Sequence, residues 1–215
     1  MDCCSVNGLD RIFNKSRAQK KSKSYSKKGL DKRARALVDF LKGPGLSGAT
    51  LLDIGCGVGA LHLELLKEGA MKAQGIEVSP AYVEEANSLA QSLGFQDAVE
   101  YHVGDFVEME HDTPYADIVL LDRVICCYPD MEPLVITSAR HAERLYALTY
   151  PRRTWWMRAA AFIMNLGLSV VRNRYRFFLH HPREIAATLA SAGFINIFHT
   201  TATFGIWQVA VYQRQ

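Results

Sequence analysis

Apolar and polar positions follow a helical rhythm just after the first stretch of the chain. Leucine, alanine and valine recur at i, i+4, i+7 and i+8 spacing, which is typical of an amphipathic helix, at Leu30, Ala34, Leu37, Val38 and Leu41. The turn 43-GPGLSG-48 follows and is expected to end this helix.

Beyond that turn, apolar runs typical of buried strands alternate with amphipathic segments typical of helices. The predicted strands are ATLLDIG, MKAQGIEVS, VEYHVGDF, ADIVLLDRV, RLYALTYP, INIFHTT and WQVAVYQ. The predicted helices between them are ALHLELLKEG, AYVEEANSLAQSLG, MEPLVITSARHA and HPREIAATLASAGF. Such alternation predicts a parallel sheet with helices on both faces.

The last two predicted strands are joined by the short connection 202-ATFGI-206. It is too short for a crossover helix, so these strands are expected to pair antiparallel. The predicted fold class is therefore α/β, a doubly wound, mostly parallel seven-stranded sheet with a C-terminal antiparallel hairpin.

One strongly apolar segment, 154-TWWMRAAAFIMNLGLSVVR-172, stands outside the alternation and is predicted to be helical. Arg158 leaves about 13 residues before Arg172, short of the roughly 20 that a membrane span needs. We therefore favour a lid or cap helix at about 154–172, and peripheral membrane contact stays open as the alternative.

Composition supports one packed body in this 215-residue chain, because 49% of the residues are hydrophobic and 22% are charged. The first residues contain no apolar stretch of secretory length, and the five cysteines are odd in number. These features predict a reducing, cytoplasmic setting.

Charge divides the chain into two predicted parts. Residues 11–35 carry eleven basic side chains against Asp31, a net +10, so the rest of this +3 chain carries −7. We predict a basic, flexible arm over residues 1–28 and the folded body over residues 29–215. Such an arm can meet nucleic acid or anionic lipid. A solvated segment is favoured, because the arm lacks regularly spaced aromatic residues that would stack on bases.

Glycines and acids stand where the first three predicted strands end. The first strand ends in 53-DIGCGVG-59, whose glycines and Ala60 fit a G-x-G-x-x-G/A turn that approaches a ligand closely. The second strand ends at Glu77, 24 positions after Asp53, and the third at 104-GDF-106. Ligands of such sheets bind at the carboxyl ends of the strands.

This set of residues resembles that of the class I S-adenosylmethionine-dependent methyltransferases, over residues from about 50 to 215. The resemblance implies that S-adenosylmethionine is the cofactor and that its site includes the following residues: Asp53, Gly55, Cys56, Gly57, Gly59, Glu77, Val78, Gly104, Asp105, Phe106 and Asp122. It further implies that the Gly55–Gly59 loop borders the methionine part, Glu77 holds the ribose, and Asp105 with Phe106 frames the adenine. Asp122 and Arg123 are then expected near the methyl-transfer centre.

The stretch 121-LDRVICCYPD-130 narrows the choice among such enzymes. It lacks the Asn/Asp-Pro-Pro-aromatic motif of enzymes that methylate exocyclic adenine amines. Its adjacent cysteines, Cys126 and Cys127, would point to opposite faces if extended, so no metal is expected. Together with YSKKGLDKRARAL, GALHLELL and YPRRTWW, it resembles a bacterial group of small-molecule methyltransferases, loosely similar to magnesium-protoporphyrin O-methyltransferases.

Candidate acceptor-side residues follow from position along the chain. Tyr25, His62, Tyr128, Arg153 and Trp155 are predicted to contact substrate, and His181 is predicted as a catalytic base beside Asp122 and Arg123. Purely structural roles remain open for four of these residues: a solvated helix start at Tyr25, a helix-surface histidine at His62, a solvated turn at Arg153, and a capping histidine at His181.

The sequence thus predicts methyl transfer to a small-molecule acceptor, a hydroxyl or carboxylate. One alternative is a nucleic-acid methyltransferase that uses the basic arm. Another is a module that binds the cofactor without catalysis. The acceptor and the oligomeric state are left open.

Overall fold

The computed structural model describes residues 12–43 and 45–215. Cys3 and Cys4, with the beginning of the predicted basic arm, lie outside the described residues.

Seven strands form one sheet in the order β3-β2-β1-β4-β5-β7-β6. Their bounds are β1 (Thr50–Ile54), β2 (Lys72–Glu77), β3 (Val99–Val103), β4 (Ala116–Asp122), β5 (Ala142–Pro151), β6 (Phe194–Ala202) and β7 (Trp207–Arg214). Strands β1 to β5 pair in parallel, while β7 pairs antiparallel with both β5 and β6. The predicted fold class is therefore confirmed, including the terminal hairpin.

The helices of the described residues are α1 (Lys15–Lys28), α2 (Lys32–Leu41), α3 (Ala60–Lys67), α4 (Pro80–Ser92), α5 (Glu132–His141), α6 (Trp155–Val170) and α7 (Pro182–Ser191). Short 3-10 turns span Glu110–Asp112 and Ile125–Cys127. Two apolar clusters of buried side chains pack against the sheet, so its central strands are covered on both faces.

Strand register brings the candidate site together. Asp53 of β1 is paired with Gly75 of β2 and Leu120 of β4, and Glu77 is paired with Val103. The carboxyl ends of β1 to β4 therefore meet at one edge of the sheet, where the sequence motifs lie.

The prediction of a flexible arm over residues 1–28 is corrected for the part that the structure describes. Residues 15–28 form helix α1, and this helix packs on the rest of the protein. Asn14 caps the helix, and its buried side chains are Ala18, Ser22 and Tyr25, at i, i+4 and i+7. The segment just before the helix is held by Ser79, whose hydroxyl donates to the Phe13 carbonyl at 2.7 Å. These contacts order a segment whose lysines and serines suggested flexibility.

Helix α6 matches the predicted apolar segment in position, but it exposes most of its length. Ala161 is its one buried side chain. Asn165 fixes the helix to the following segment by two hydrogen bonds with the Phe177 backbone, at 2.8 and 2.9 Å. Among the described residues, no helix is long and apolar enough to cross a membrane.

Candidate functional site

A cavity of about 620 Å³ opens at the carboxyl edge of the sheet. This is within the usual range for small-molecule sites. Its walls come from the ends of β1, β2, β3 and β4, the start of β7, and the helices α1 and α2. The predicted cofactor residues that line it are Asp53, Gly55, Cys56, Gly57, Glu77, Val78, Gly104, Asp105, Phe106 and Asp122.

The glycine loop after β1 is shaped by close contacts beneath it. Gly59 has φ +78°, and a Cβ there would lie 2.5 Å from the Tyr101 hydroxyl and 2.8 Å from His62 Nε2. Gly55 has φ +64°, and a Cβ there would lie 2.6 Å from Val124. Side chains at either position would shift the loop, so glycine keeps its backbone against the cavity wall.

Glu77 braces this loop from the end of β2. One carboxylate oxygen accepts from the Gly57 N–H at 2.9 Å, and the other accepts from the Ser79 N–H at 3.0 Å. Burial raises the pKa of Glu77, although these two hydrogen bonds act against that rise. Each oxygen retains acceptor capacity toward the cavity, because a carboxylate oxygen can accept more than one hydrogen bond.

His62 is part of a buried chain of polar groups below the glycine loop. Its Nδ1 lies 2.8 Å from Asp53 Oδ2, and its Nε2 lies 2.8 Å from the Tyr101 hydroxyl. The side chain is 0% exposed and is not among the groups that line the cavity. The predicted substrate contact at His62 is therefore corrected, because both ring nitrogens already face internal partners.

Asp53 presents a carboxylate oxygen that the protein does not satisfy. Its Oδ1 is buried and has no hydrogen-bond partner within the described part of the chain. Burial raises the pKa of this carboxyl, despite the opposing effect of His62. An unpaired buried acceptor in a cavity wall is costly unless a ligand donates to it.

The end of β3 is tied to the segment after β4. Asp105 Oδ1 accepts from the Tyr128 hydroxyl at 2.8 Å and from the Val107 N–H at 3.0 Å. Phe106 is 1% exposed and lies in the same wall. Tyr128 was predicted to contact substrate, and the structure places it in the cavity beside the predicted adenine residues.

Asp122, at the end of β4, is held by an ion pair that the sequence did not suggest. Arg33 donates to its two oxygens, from Nε at 2.7 Å and from an Nη at 2.8 Å. The Thr149 hydroxyl also donates to it. Burial acts to raise the pKa of Asp122, but Arg33, Arg123 and Thr149 outweigh it and lower the pKa. Asp122 therefore stays ionised, which suits it to charge placement better than to proton uptake.

Arg123 lines the cavity with φ +63°, a left-handed conformation uncommon for a residue other than glycine. Its backbone N–H donates to Thr149, at 3.1 Å to the hydroxyl and 3.2 Å to the carbonyl. This backbone turn at the end of β4 directs the chain into the wall made by Val124 to Tyr128. Such strained residues concentrate at functional sites.

The predicted orientation of the adjacent cysteines, Cys126 and Cys127, is wrong. Cys126 and Cys127 lie in a 3-10 turn, and their sulfur atoms are 3.3 and 3.8 Å from the Arg123 carbonyl oxygen. Both thiols therefore lie on the same side, rather than on opposite faces as an extended segment would place them. Across residues 12–43 and 45–215, no cluster of three or more His, Cys, Asp or Glu side chains could hold a metal ion.

Helix α1 forms part of the cavity wall and contributes Lys21, which sequence reasoning missed. Lys21 lies 5.3 Å from the centre of the Tyr82 ring. Burial and the nearby Arg123 lower the pKa of Lys21 to about 8, against the opposing charges of Glu77 and Asp122. Its position in a basic, serine-rich stretch gave no sign of this environment.

Tyr25, which was predicted to contact substrate, also lines the cavity from helix α1. Its hydroxyl donates to Glu64 at 2.5 Å and accepts from Lys67 Nζ at 2.9 Å. Burial and the bond to Glu64 raise the pKa of Tyr25 to about 12. Tyr25 thus contributes its ring to the wall, while its hydroxyl fastens α1 to α3.

Three predicted substrate or catalytic residues lie outside the cavity walls. His181 caps helix α7, accepting from the Arg183 N–H, with Glu184 completing a capping box. Arg153 and Trp155 are exposed at the start of α6, and Trp155 is 82% exposed. These three predictions are corrected, because none of the three residues lines the cavity: His181 serves as a helix cap, and Arg153 and Trp155 are exposed.

Comparison with known proteins agrees with this arrangement. Residues 46–147 match a family model described as a methyltransferase domain. Ajmaline N-methyltransferase of Rauvolfia serpentina is 30% identical over 109 residues, which are 51% of this chain and 38% of that protein. Ribosomal protein L11 methyltransferase of Enterobacter sp. (strain 638) is 32% identical over 98 residues, 46% of this chain and 32% of that protein. The chain spans less than half the length of these curated relatives.

Among solved structures, magnesium protoporphyrin IX methyltransferase from Synechocystis PCC 6803, with bound SAH, superposes with a TM-score of 0.71 at 22% identity. The match covers 85% of this chain and 82% of that one, and it shows the shared fold. The matched domain, the strand-end motifs and the shared fold all agree with the methyltransferase family that the sequence predicted. Residues 46–147 therefore match a methyltransferase domain, and the chain shares its fold with a solved methyltransferase.

Proposed function

We propose that the chain binds S-adenosylmethionine in the strand-end cavity and directs methyl transfer to an oxygen of a small-molecule acceptor, a hydroxyl or a carboxylate. The observation that carries this proposal is the joint lining of one cavity by the ends of β1 to β4. A bound sulfonium cofactor supplies an already activated methyl group. The chain's own residues then have to bind, orient and exclude water.

Strand order divides the cavity into two halves. The ends of β3 and β2 supply Gly104 to Phe106 and Glu77, the residues assigned to adenine and ribose. The carboxyl end of β4 and the start of β7 form the other half, to which they contribute Asp122 and Trp207. Gly55 and Gly57 lie between the two halves, in the loop that follows β1. We assign the β4 and β7 half to the acceptor.

The unpaired Oδ1 of Asp53 supports a bound ammonium group near the glycine loop. Asp53 lines the side of the cavity where the methionine part is expected, and its buried Oδ1 needs a donor. Glu77 keeps acceptor capacity for the ribose hydroxyls while bracing Gly57. The residues present therefore fit the cofactor in charge and in hydrogen-bonding capacity.

Cavity size and wall chemistry favour a small acceptor. The space is about 620 Å³ in all, and the cofactor would take much of it. Aromatic rings of Tyr175, Phe177 and Trp207 line the walls, and Arg33 stacks over the Trp207 ring at 5.2 Å. A flat or apolar molecule with an oxygen near Arg123 and Lys21 fits this lining.

The alternative is a nucleic-acid methyltransferase that uses the basic arm. Its support is the net +10 charge of residues 11–35. Against it, two of those cations, Lys21 and Arg33, face the cavity and are engaged there. Lys15 pairs with Glu84 at 3.0 Å. Part of the charge is therefore used within the fold.

A transfer experiment separates these readings. The full chain is incubated with methyl-labelled S-adenosylmethionine and, in parallel, a panel of aromatic hydroxyl and carboxylate compounds or total RNA. We expect label in solvent-extractable products, base-labile for a methyl ester and base-stable for a methyl ether. Label in RNA alone would contradict the proposal, and cofactor binding without any transfer would favour the non-catalytic module.

Removal of residues 1–24 provides the second comparison. If the arm served RNA, the full chain would bind RNA with a steep salt dependence that the shortened chain loses. We expect weak RNA binding by both proteins and a loss of cofactor affinity in the shortened one, because α1 covers the cavity.

A further inference from the structure

We propose that helix α6 docks on an anionic lipid bilayer, lying in the plane of the interface with its exposed apolar stripe in the lipid. This inference concerns a surface outside the cavity and does not depend on which methyl acceptor the chain uses.

The stripe is continuous and strongly exposed. Its large side chains and their exposed fractions are Trp155 82%, Phe162 70%, Ile163 68%, Leu166 55% and Val170 77%. The spacings i, i+7, i+8, i+11 and i+15 place these residues on one side of the helix. A single exposed apolar residue needs no explanation, whereas a contiguous set of this size marks an interaction site.

The opposite side of α6 is fixed to the protein. Ala161 is buried, and Asn165 bonds the Phe177 backbone in both directions. Thr154 caps the first turn, and Ser169 accepts from Arg176 at 2.8 Å near the end. The stripe therefore faces outward on an anchored helix, and docking requires no detachment of α6.

Charge around the helix selects an anionic partner. Residues 144–183 contain eight arginines and no aspartate or glutamate. Five of the arginines are exposed and flank or border the apolar stripe: Arg152, Arg153, Arg158, Arg172 and Arg174. Juxtamembrane cations are attracted to anionic headgroups, and Trp near a helix end suits the interface.

A second copy of the chain is a weaker occupant of this surface. In a two-fold contact the same patch meets itself, so the arginines around one stripe would approach those around the other. No acidic residue lies in this stretch of sequence to offset that repulsion. An anionic bilayer neutralises the same charges, and the apolar stripe can enter its acyl region. Interfacial amphipathic helices bind membranes through these two contributions.

The location of α6 links the lipid surface to the cavity. Asn165 holds the segment at Phe177, and Phe177 and Tyr175 are in the cavity wall. A bilayer under α6 would therefore adjoin the cavity wall that Tyr175 and Phe177 form. That arrangement suits an acceptor that partitions into lipid.

Vesicle flotation with the full chain tests the proposal. The vesicles are phosphatidylcholine alone or equal parts of phosphatidylcholine and phosphatidylglycerol. We expect binding to the anionic vesicles, weakening as salt rises. The double variant Phe162→Asp with Leu166→Asp should weaken binding by at least about tenfold, since two apolar side chains no longer enter lipid.

Matched variants make the result specific. Arg153→Glu with Arg158→Glu should also weaken binding by about tenfold or more, because cations near the surface are replaced by anions. Met71→Asp is the control, since Met71 is 53% exposed and precedes β2 at the opposite edge of the sheet. We expect it to bind as the unaltered chain does, with unchanged circular dichroism for all three variants.

Three results would overturn the proposal. One is the absence of flotation with anionic vesicles at low salt. Another is flotation that the Phe162→Asp and Leu166→Asp variant retains. The third is a dimer in sedimentation equilibrium that this variant dissociates, without vesicle binding, which would make a second copy the occupant.

Discussion

Arg33 and Asp122 form a two-point ion pair in the cavity wall, between helix α2 and the end of strand β4. Both Asp122 oxygens accept from the Arg33 guanidinium, at 2.7 and 2.8 Å. The Arg33 side chain is 4% exposed and that of Asp122 15% exposed. The pair fastens the N-terminal helices to the strand end where methyl transfer is expected.

Replacement of Arg33 by methionine should destabilise the fold by about 3 kcal/mol, because it leaves a buried carboxylate without its main partner. Urea unfolding followed by circular dichroism measures this change. Arg35→Met is the control, since Arg35 is exposed on the same helix and should change stability by less than about 0.5 kcal/mol. Equal effects of the two substitutions would show that the ion pair does not hold α2.

The lowered pKa of Asp122 predicts a definite pH dependence. A carboxyl group whose pKa is lower in the folded chain than in the unfolded chain stabilises the fold. This stabilisation is fully present above the unfolded pKa of about 3.9, and it is lost as the pH falls through the folded pKa. Asp122→Asn should therefore cost most at neutral pH. Its deficit in unfolding free energy should shrink below about pH 4. A deficit that is constant from neutral to acid pH would contradict the assignment.

The buried hydrogen-bonded chain from Asp53 through His62 to Tyr101 predicts that substitutions at His62 and Tyr101 lower the unfolding free energy by different amounts. His62→Leu removes the hydrogen bond to Asp53 Oδ2, and it should cost about 3 kcal/mol in unfolding free energy. Tyr101→Phe keeps the Asp53 contact and removes one hydrogen bond, so it should cost about 1 kcal/mol. Chemical unfolding of both variants checks the order. The reverse order would place the important contact at Tyr101.

Lys21 predicts the pH dependence of the reaction with a hydroxyl acceptor. The pKa of Lys21 is about 8, so the fraction of neutral amine grows as the pH rises through that value. The neutral amine can take the proton from the hydroxyl group that is methylated. The transfer rate should therefore rise through about pH 8 and then level off. Lys21→Met should lower the rate and remove this rise, while Lys20→Met, on the same helix but exposed, should keep it. An unchanged profile in Lys21→Met would exclude this role.

Much of the fold and the cofactor side of the cavity could be predicted, because their signals are local. The alternation of strands and helices follows from apolar periodicity, and the glycine loop and Glu77 follow strands directly. Strand ends in a parallel sheet meet at one edge, so spacing alone placed these residues together.

The remaining site residues depend on packing between distant parts of the chain. Arg33 is 89 positions from Asp122, and no local pattern pairs them. His62 resembled a helix-surface residue because its two partners, Asp53 on β1 and Tyr101 on β3, lie on other elements. Helix α1 was missed because its buried stripe consists of small or polar residues among lysines, which lack the apolar signal of an amphipathic helix. The exposed start of α6 likewise depends on where the chain turns after β5.

The most direct test of the central claim is calorimetric binding of S-adenosylhomocysteine to the full chain and to Glu77→Ala. Two hydrogen bonds from the ribose hydroxyls to this carboxylate predict a loss of affinity of at least about tenfold. Glu100→Ala is the control, since Glu100 lies on the neighbouring strand β3 with a 74% exposed side chain, and it should bind as the unaltered chain does. Circular dichroism checks that both variants are folded. A folded Glu77→Ala variant with unchanged affinity would contradict the assignment of this cavity to the cofactor.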